Sequence, residues 1–173
     1  MTLVFELFQI ITLQRTPQDL RYDQVAAAVS FASLIAMSFY INAMETKYSE
    51  PLGYAIVHCC SQAVAIYGLL KWRHKAMRYV QTITALFGTT VILQVLTLIA
   101  LQSSLFAVAS LFFSIWNVYL MVIILRAALD SSPLQSVVYT VGYHFVTVLI
   151  LILIYPGFPA EITSIIQPSS TDS

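Results

Sequence analysis

Residues 80–125 read VQTITALFGTTVILQVLTLIAL, then QSS, then LFAVASLFFSIWNVYLMVIIL. No Asp, Glu, Lys or Arg interrupts them. Each run matches the ~20 residues that cross a ~30 Å hydrocarbon layer at ~1.5 Å per residue. Three polar residues are enough for the turn between them, so the pair reads as an antiparallel helical hairpin in a bilayer. Working outward, Gln24–Met44, Leu52–Leu70 and Val137–Tyr155 have the same character, and with Val80–Leu101 and Leu105–Leu125 they make five spans. The second is the least oily, because His58, Cys59, Cys60, Ser61 and Gln62 follow one another in it.

Composition agrees. The chain of 173 residues is 59% hydrophobic and 9% charged, against ~25% charged in an ordinary soluble domain. Its mean hydropathy of +0.83 belongs to a membrane protein. Eight basic residues balance eight acidic ones, and no basic tract is present that would grip phosphates, so no nucleic acid is expected as partner. The two cysteines are neighbours in an apolar run and imply no disulfide framework. The expected fold is therefore all-α, a polytopic membrane helix bundle of five transmembrane helices preceded by a short interfacial amphipathic helix. Residues 1–23 form the cytoplasmic amphipathic helix and capping segment, 24–155 the transmembrane domain, and 156–173 a short, flexible external tail.

Basic residues orient such a bundle, since short loops rich in Lys and Arg stay in the cytoplasm. Arg15 and Arg21 precede the first span, Lys71, Arg73, Lys75 and Arg78 lie between the second and third, and Arg126 follows the fourth. Lys47 alone falls on the other side. The expectation is a bacterial inner membrane with the N-terminus cytoplasmic and the C-terminus periplasmic or external. Leu3–Leu13 is too short to cross and lacks the features of a signal peptide. On a helix Leu3, Val4, Leu7, Phe8 and Ile11 gather on one side, the pattern of a helix lying along headgroups or packed on the bundle. In the polar stretch that follows, QRTPQDLRYD (14–23), Thr16 is a good N-cap, Pro17 suits a first helical position and Asp19 favours a helix N-terminus. These residues are expected to end one helix and start the next.

Candidate chemistry is sparse. His58, Cys59 and Cys60 point about 100° apart on a helix and cannot converge on one metal ion. Adjacent Cα atoms ~3.8 Å apart are also too close for a disulfide. His58 and Gln62 share a face and suit a hydrogen-bonded pair. His58 and His144 would be the only candidates for haem ligation between helices, but the expected span ends leave ~10 Å between their depths. No catalytic residue, metal ligand set or cofactor is assigned. There is no GxSxG, HExxH or P-loop, and no ionisable carboxylate or cation inside a span to couple a proton or ion.

Small and polar residues offer more. Ala107, Ser110, Ser114 and Asn117 recur at spacings of three and four in the fourth span, which reads as a packing seam. Ala28, Ala32 and Ala36 make a matching row in the first span, and Ser61, Ala65 and Gly68 one in the second. Alternatively Asn117, Gln94, Gln62 and His144 line a polar cavity for a substrate. Lys71, Arg73, Lys75 and Arg78 form a loop that would hold anionic lipid or an acidic partner at about 1 kcal/mol per charge, and that also serves as a topology signal.

The amphipathic start, the Thr16-Pro17 step and five closely spaced spans resemble the YIP1-like family of five-helix integral membrane proteins. That resemblance implies a membrane-trafficking scaffold. The string RTPQDLRYD is also similar to an R-x-P-Q-D-L-P-Y-S opening of small, uncharacterised inner-membrane proteins of Gram-negative bacteria, with Arg21 in place of the proline and Asp23 in place of the serine. Neither resemblance carries a catalytic residue. The first functional expectation is a non-enzymatic scaffold, assembly factor or subunit of a membrane complex, partnered by the bilayer and other membrane subunits. The alternatives are a small permease or channel-like carrier for an uncharged or lipidic solute, and a haem- or quinone-linked redox subunit.

Overall fold

The structure is a computed structural model that describes residues 2–45, 50–100 and 106–155. Lys47 and the expected tail from 156 to 173 lie outside the described residues. The chain forms α1 (Leu3–Ile11), α2 (Gln24–Glu45), α3 (Pro51–Trp72), α4 (Tyr79–Ala100), α5 (Phe106–Leu129) and α6 (Pro133–Ile154), with no strand among the described residues. The helices α2 to α6 are each long and apolar enough to cross a membrane. They pack as a closed circuit, α2 on α3, α3 on α6, α6 on α5, α5 on α4 and α4 on α2. At α4 every residue from Thr82 to Thr89 is buried, so for two turns this helix is enclosed on all sides.

One span start and one helix cap differ from the sequence reading. Here α6 begins at Pro133 rather than Val137, because Ser132 and Gln135 form a capping box: the Gln135 N–H donates to Ser132 Oγ at 3.3 Å, and the Ser132 N–H to Gln135 Oε1 at 3.2 Å. The first long helix is capped by Asp23, whose Oδ1 accepts the N–H groups of Val25 at 2.8 Å and Ala26 at 3.2 Å. Thr16 instead opens a single 3-10 turn, Pro17–Asp19. Asp19 Oδ2 accepts the Thr16 N–H at 2.8 Å and its hydroxyl at 2.9 Å. These two bonds hold the Asp19 carboxyl below its usual range.

The polar turn ties three elements together at one end of the bundle. Gln81 Nε2 donates to the carbonyl of Leu20 at 2.7 Å, and Gln18 Nε2 donates to that of Ala127. Arg78 reaches the carbonyls of Ala127 and Ala128 at 3.2 and 3.0 Å, serving the exposed C-terminal end of α5. Three helices stop on a left-handed residue that is not glycine: Leu13 (φ 61°), His74 (φ 57°) and Asp130 (φ 50°). In each case the next N–H reaches back five residues, from Gln14 to Gln9, Lys75 to Leu70 and Ser131 to Arg126. The reversed chain then lies close to the bundle end.

The structure packs one face of α1 on the bundle and leaves the other exposed. Leu7, Ile10 and Ile11 are buried, while Val4, Phe5 and Phe8 are exposed. The inward face is rotated from the expected one, so that Phe8 and Val4 point away from the bundle. Leu7 rests on Gly88 of α4, where a Cβ would lie 2.6 Å from its Cδ1. Gly88 is thus the notch that lets α1 dock, and Ile11 continues the contact onto Leu93 and Leu120. We expect Gly88→Ile to eject Leu7 and cost about 1–3 kcal/mol, as overpacking does. A thiol at Ile10→Cys, which is 2% exposed in the wild type, placed in a chain with Cys59 and Cys60 replaced, should then change from unreactive to reactive. Unchanged protection would show that α1 does not depend on this notch.

Candidate functional site

The row of Ala28, Ala32 and Ala36 is exposed and makes no seam within this chain. The inward face of α2 belongs instead to Ser30, Leu34, Ala27 and Phe31, with Phe31 against Phe87 at 5.7 Å between ring centres. Small residues do line contacts, but on other helices. The buried positions of α6 are Ser136, Thr140, Tyr143, Thr147 and Leu151, and those of α4 include Thr82, Thr84, Ala85, Gly88 and Thr89. Within a bilayer such residues act by letting backbones approach. In α3, Ser61 is buried and Gly68 faces open space.

The polar residues of α5 lead to a cavity. Between α2, α4 and α5 lies a space of about 530 Å³ bounded by Ile41, Met44, Thr90, Leu93, Gln94, Thr97, Leu98, Phe106, Ser110, Phe113, Ser114 and Asn117. That volume is in the ~300–1,000 Å³ range of small-molecule sites. Its floor is a side-chain bond between α4 and α5: Thr90 Oγ1 donates to Asn117 Oδ1 at 3.1 Å. At ~1.5 Å per residue the floor lies ~15 Å along α4 from Ala100, near the middle of the span. Toward the basic end the bundle is closed by Phe87, Ile83, Leu86, Ile66, Leu70, Ile124 and Leu125, all at most 5% exposed. The cavity therefore occupies the half of the bundle away from the basic loop.

Gln94 Oε1 is buried and has no hydrogen-bond partner among the described residues. A buried acceptor left unpaired costs about 1–3 kcal/mol. Thr97 is satisfied by its own helix, donating to Leu93 O at 2.9 Å. Sequence reasoning reached Gln94 and Asn117 as lining, took Ser110 and Ser114 for a packing seam, and did not reach Thr90 or Thr97. The signal was present, since Thr90, Gln94 and Thr97 are spaced four and three apart and share one face of α4. Among the described residues no charged side chain lines this space.

Gln62 and His144 do not join them. On α3, Gln62 Nε2 lies 2.6 Å from His58 Nε2, which uses up that ring nitrogen, and the His58 ring stands edge-on to Tyr54 at 5.8 Å. On α6 it is Tyr143 that turns into the core, leaving His144 exposed beside it. Because α6 begins earlier than expected, the two histidines differ in depth by ~5 Å rather than ~10 Å. No group of three or more His, Cys, Asp or Glu able to hold a metal occurs among the described residues. Cys59 is buried with its sulfur 3.9 Å from Ser38 Oγ, and Cys60 is exposed.

The basic loop is partly committed to the protein itself. Asp130 Oδ2 takes Lys75 at 2.7 Å and Arg78 at 2.9 Å, so these two are not the free cations that the sequence suggested. Lys71 lies over the Tyr67 ring and Arg73 over that of Tyr139, each at 5.9 Å, a cation–π arrangement. Asp130, the partner that sequence reasoning missed, is exposed and locks α5 to the α3–α4 turn. No known protein family, curated protein or solved structure matches this chain.

The Arg78 and Lys75 hydrogen bonds hold the Asp130 carboxyl far below its usual range. A lowered folded-state value means that the lock contributes fully above the ordinary carboxylate pKa of about 4 and is lost as pH falls through the folded value. Thermal melts in detergent at successive pH values should show the wild-type Tm falling below about pH 4. The Asp130→Asn variant should start lower at neutral pH and lose less. Parallel curves for the two proteins would remove Asp130 as the source of the acid sensitivity.

Proposed function

We propose that this is a non-enzymatic, multi-pass membrane protein that works by binding within the bilayer, as a small carrier for an uncharged or lipidic solute. The single observation that carries this reading is the cavity between α2, α4 and α5, with half-buried Gln94 in its wall, whose Oε1 is buried and has no hydrogen-bond partner among the described residues. A polar acceptor is costly to hold in an apolar bundle unless something donates to it. The absence of charge around it supports an uncharged solute.

The setting proposed is a bacterial inner membrane with the N-terminus in the cytoplasm. Support comes from the concentration of Lys71, Arg73, Lys75, Arg78 and Arg126 about the α3–α4 turn and the end of α5, the pattern of a cytoplasmic face. A second reading, a scaffold or subunit of a membrane complex, is favoured by the open row of Ala28, Ala32 and Ala36, whose small side chains suit close approach of another membrane helix. The YIP1-like resemblance points the same way.

Thiol labelling separates the two. In a chain with Cys59 and Cys60 replaced by alanine, Ser110→Cys should react with a small water-soluble reagent, and Ala128→Cys, which is 1% exposed, should not. Equal resistance at both sites would close the cavity and defeat the carrier reading. Disulfide trapping between copies through Ala32→Cys would favour the scaffold instead.

A further inference from the structure

We infer that the cavity takes a neutral amphiphile whose head is a hydroxyl group, a long-chain alcohol or a glycerol ester, with its chain along the apolar wall. The inference rests on the binding reading above and adds the class of ligand. It follows from which polar groups in the wall are already used. Thr90 gives its proton to Asn117 Oδ1 at 3.1 Å, and Thr97 gives its own to the Leu93 carbonyl at 2.9 Å. Gln94 Oε1 still needs a donor. With its oxygen engaged, the Asn117 amide keeps N–H groups to donate, since that side chain holds two of them.

A head group must therefore both donate and accept within one small space. A hydroxyl does both. A sulfate offers no proton to Gln94, and a sulfate or a phosphate would bring a charge to a wall that has no cation among the described residues. An ammonium would donate but find no counter-charge there. Around these polar atoms Ile41, Leu98, Phe106 and Phe113 supply apolar surface for a hydrocarbon chain. The combination of a few convergent polar groups in a mostly apolar wall is that of a small-molecule site.

Photo-labelling of the full chain in lipid nanodiscs tests this with four diazirine probes of equal chain length: an alcohol, a monoacylglycerol, an alkyl sulfate and an alkane. The alcohol or the monoacylglycerol should label the peptides around Gln94 and Ser110 about tenfold more than the sulfate and the alkane. The preferred hydroxyl probe identifies the source of the head group. Gln94→Leu should cut hydroxyl-probe labelling about tenfold while leaving alkane labelling and Tm unchanged or Tm higher, since it removes an unpaired acceptor. Gln94→Glu, in case the leucine variant does not fold, should shift preference to an amine-headed probe. Equal labelling by alcohol and alkane, or undiminished alcohol labelling of Gln94→Leu, overturns the hydroxyl inference alone. No labelling of these peptides by any probe in folded wild type overturns the binding reading as well.

Discussion

The constraint on which the rest of the structure depends is that lipid offers nothing to hydrogen-bond with. Every backbone N–H and C=O in the hydrocarbon must be satisfied inside the protein, which helices and closed barrels can do, and this chain does it with helices. Polar side chains face the same demand. Most meet it without leaving their own helix: Thr82 donates to Arg78 O at 2.7 Å, Thr84 to Val80 O at 2.8 Å, Thr89 to Ala85 O at 2.7 Å, and Thr140 to Ser136 O at 2.9 Å. A threonine bonded in this way is to its neighbours little more than a small, branched apolar residue. It can pack closely without a partner across the interface.

That behaviour separates two roles that look alike in a sequence. Transfer from water gives no net drive between helices already in lipid, so association rests on close packing and a few interhelical bonds. Interhelical side-chain bonds average only ~0.6 kcal/mol in a membrane protein where they have been dissected. The Thr90–Asn117 bond is therefore weak glue. Its importance is positional, because it fixes the depth at which α4 and α5 stop separating and so sets the floor of the cavity. Gln94, one turn further along, is too long to bond its own backbone in the same manner and has no partner among the described residues.

The spans were legible because length and apolarity alone decide them, and the five observed helices lie within a few residues of the expected limits. The caps were legible in type but not always in place. Thr16-Pro17 has the right residues for a helix start, yet Asp23 closer to the apolar run holds the first N–H groups of α2. Facing directions were harder to read. In a helix that is oily all round, the hydrophobic period carries little information, so Ala28, Ala32 and Ala36 could not be placed inside or outside by pattern. The lining of the cavity was half legible, since Asn117 and Gln94 are conspicuous amides in apolar helices whereas Thr90 and Thr97 resemble ordinary helix threonines. Asp130 was missed because its partners are 52 and 55 positions away, beyond any local spacing rule.

The two halves of the bundle differ in what holds them. At the basic end, Arg78 and Lys75 on Asp130, Gln81 on Leu20 and Gln18 on Ala127 tie α5, the α3–α4 turn and the 3-10 turn together. All of these lie near water, where cations and amides are cheaply placed. Above them Phe87, Ile83 and Leu86 fill the space between helices. Beyond Thr90 no comparable clamp links α2 to α5 among the described residues, and the wall changes from large apolar side chains to Ser110, Ser114 and Thr97. Small residues facing one another across a gap leave volume rather than contact. Among the described residues the clamps gather at the basic end and the open space lies beyond Thr90, which is where the carrier proposed above would take its solute.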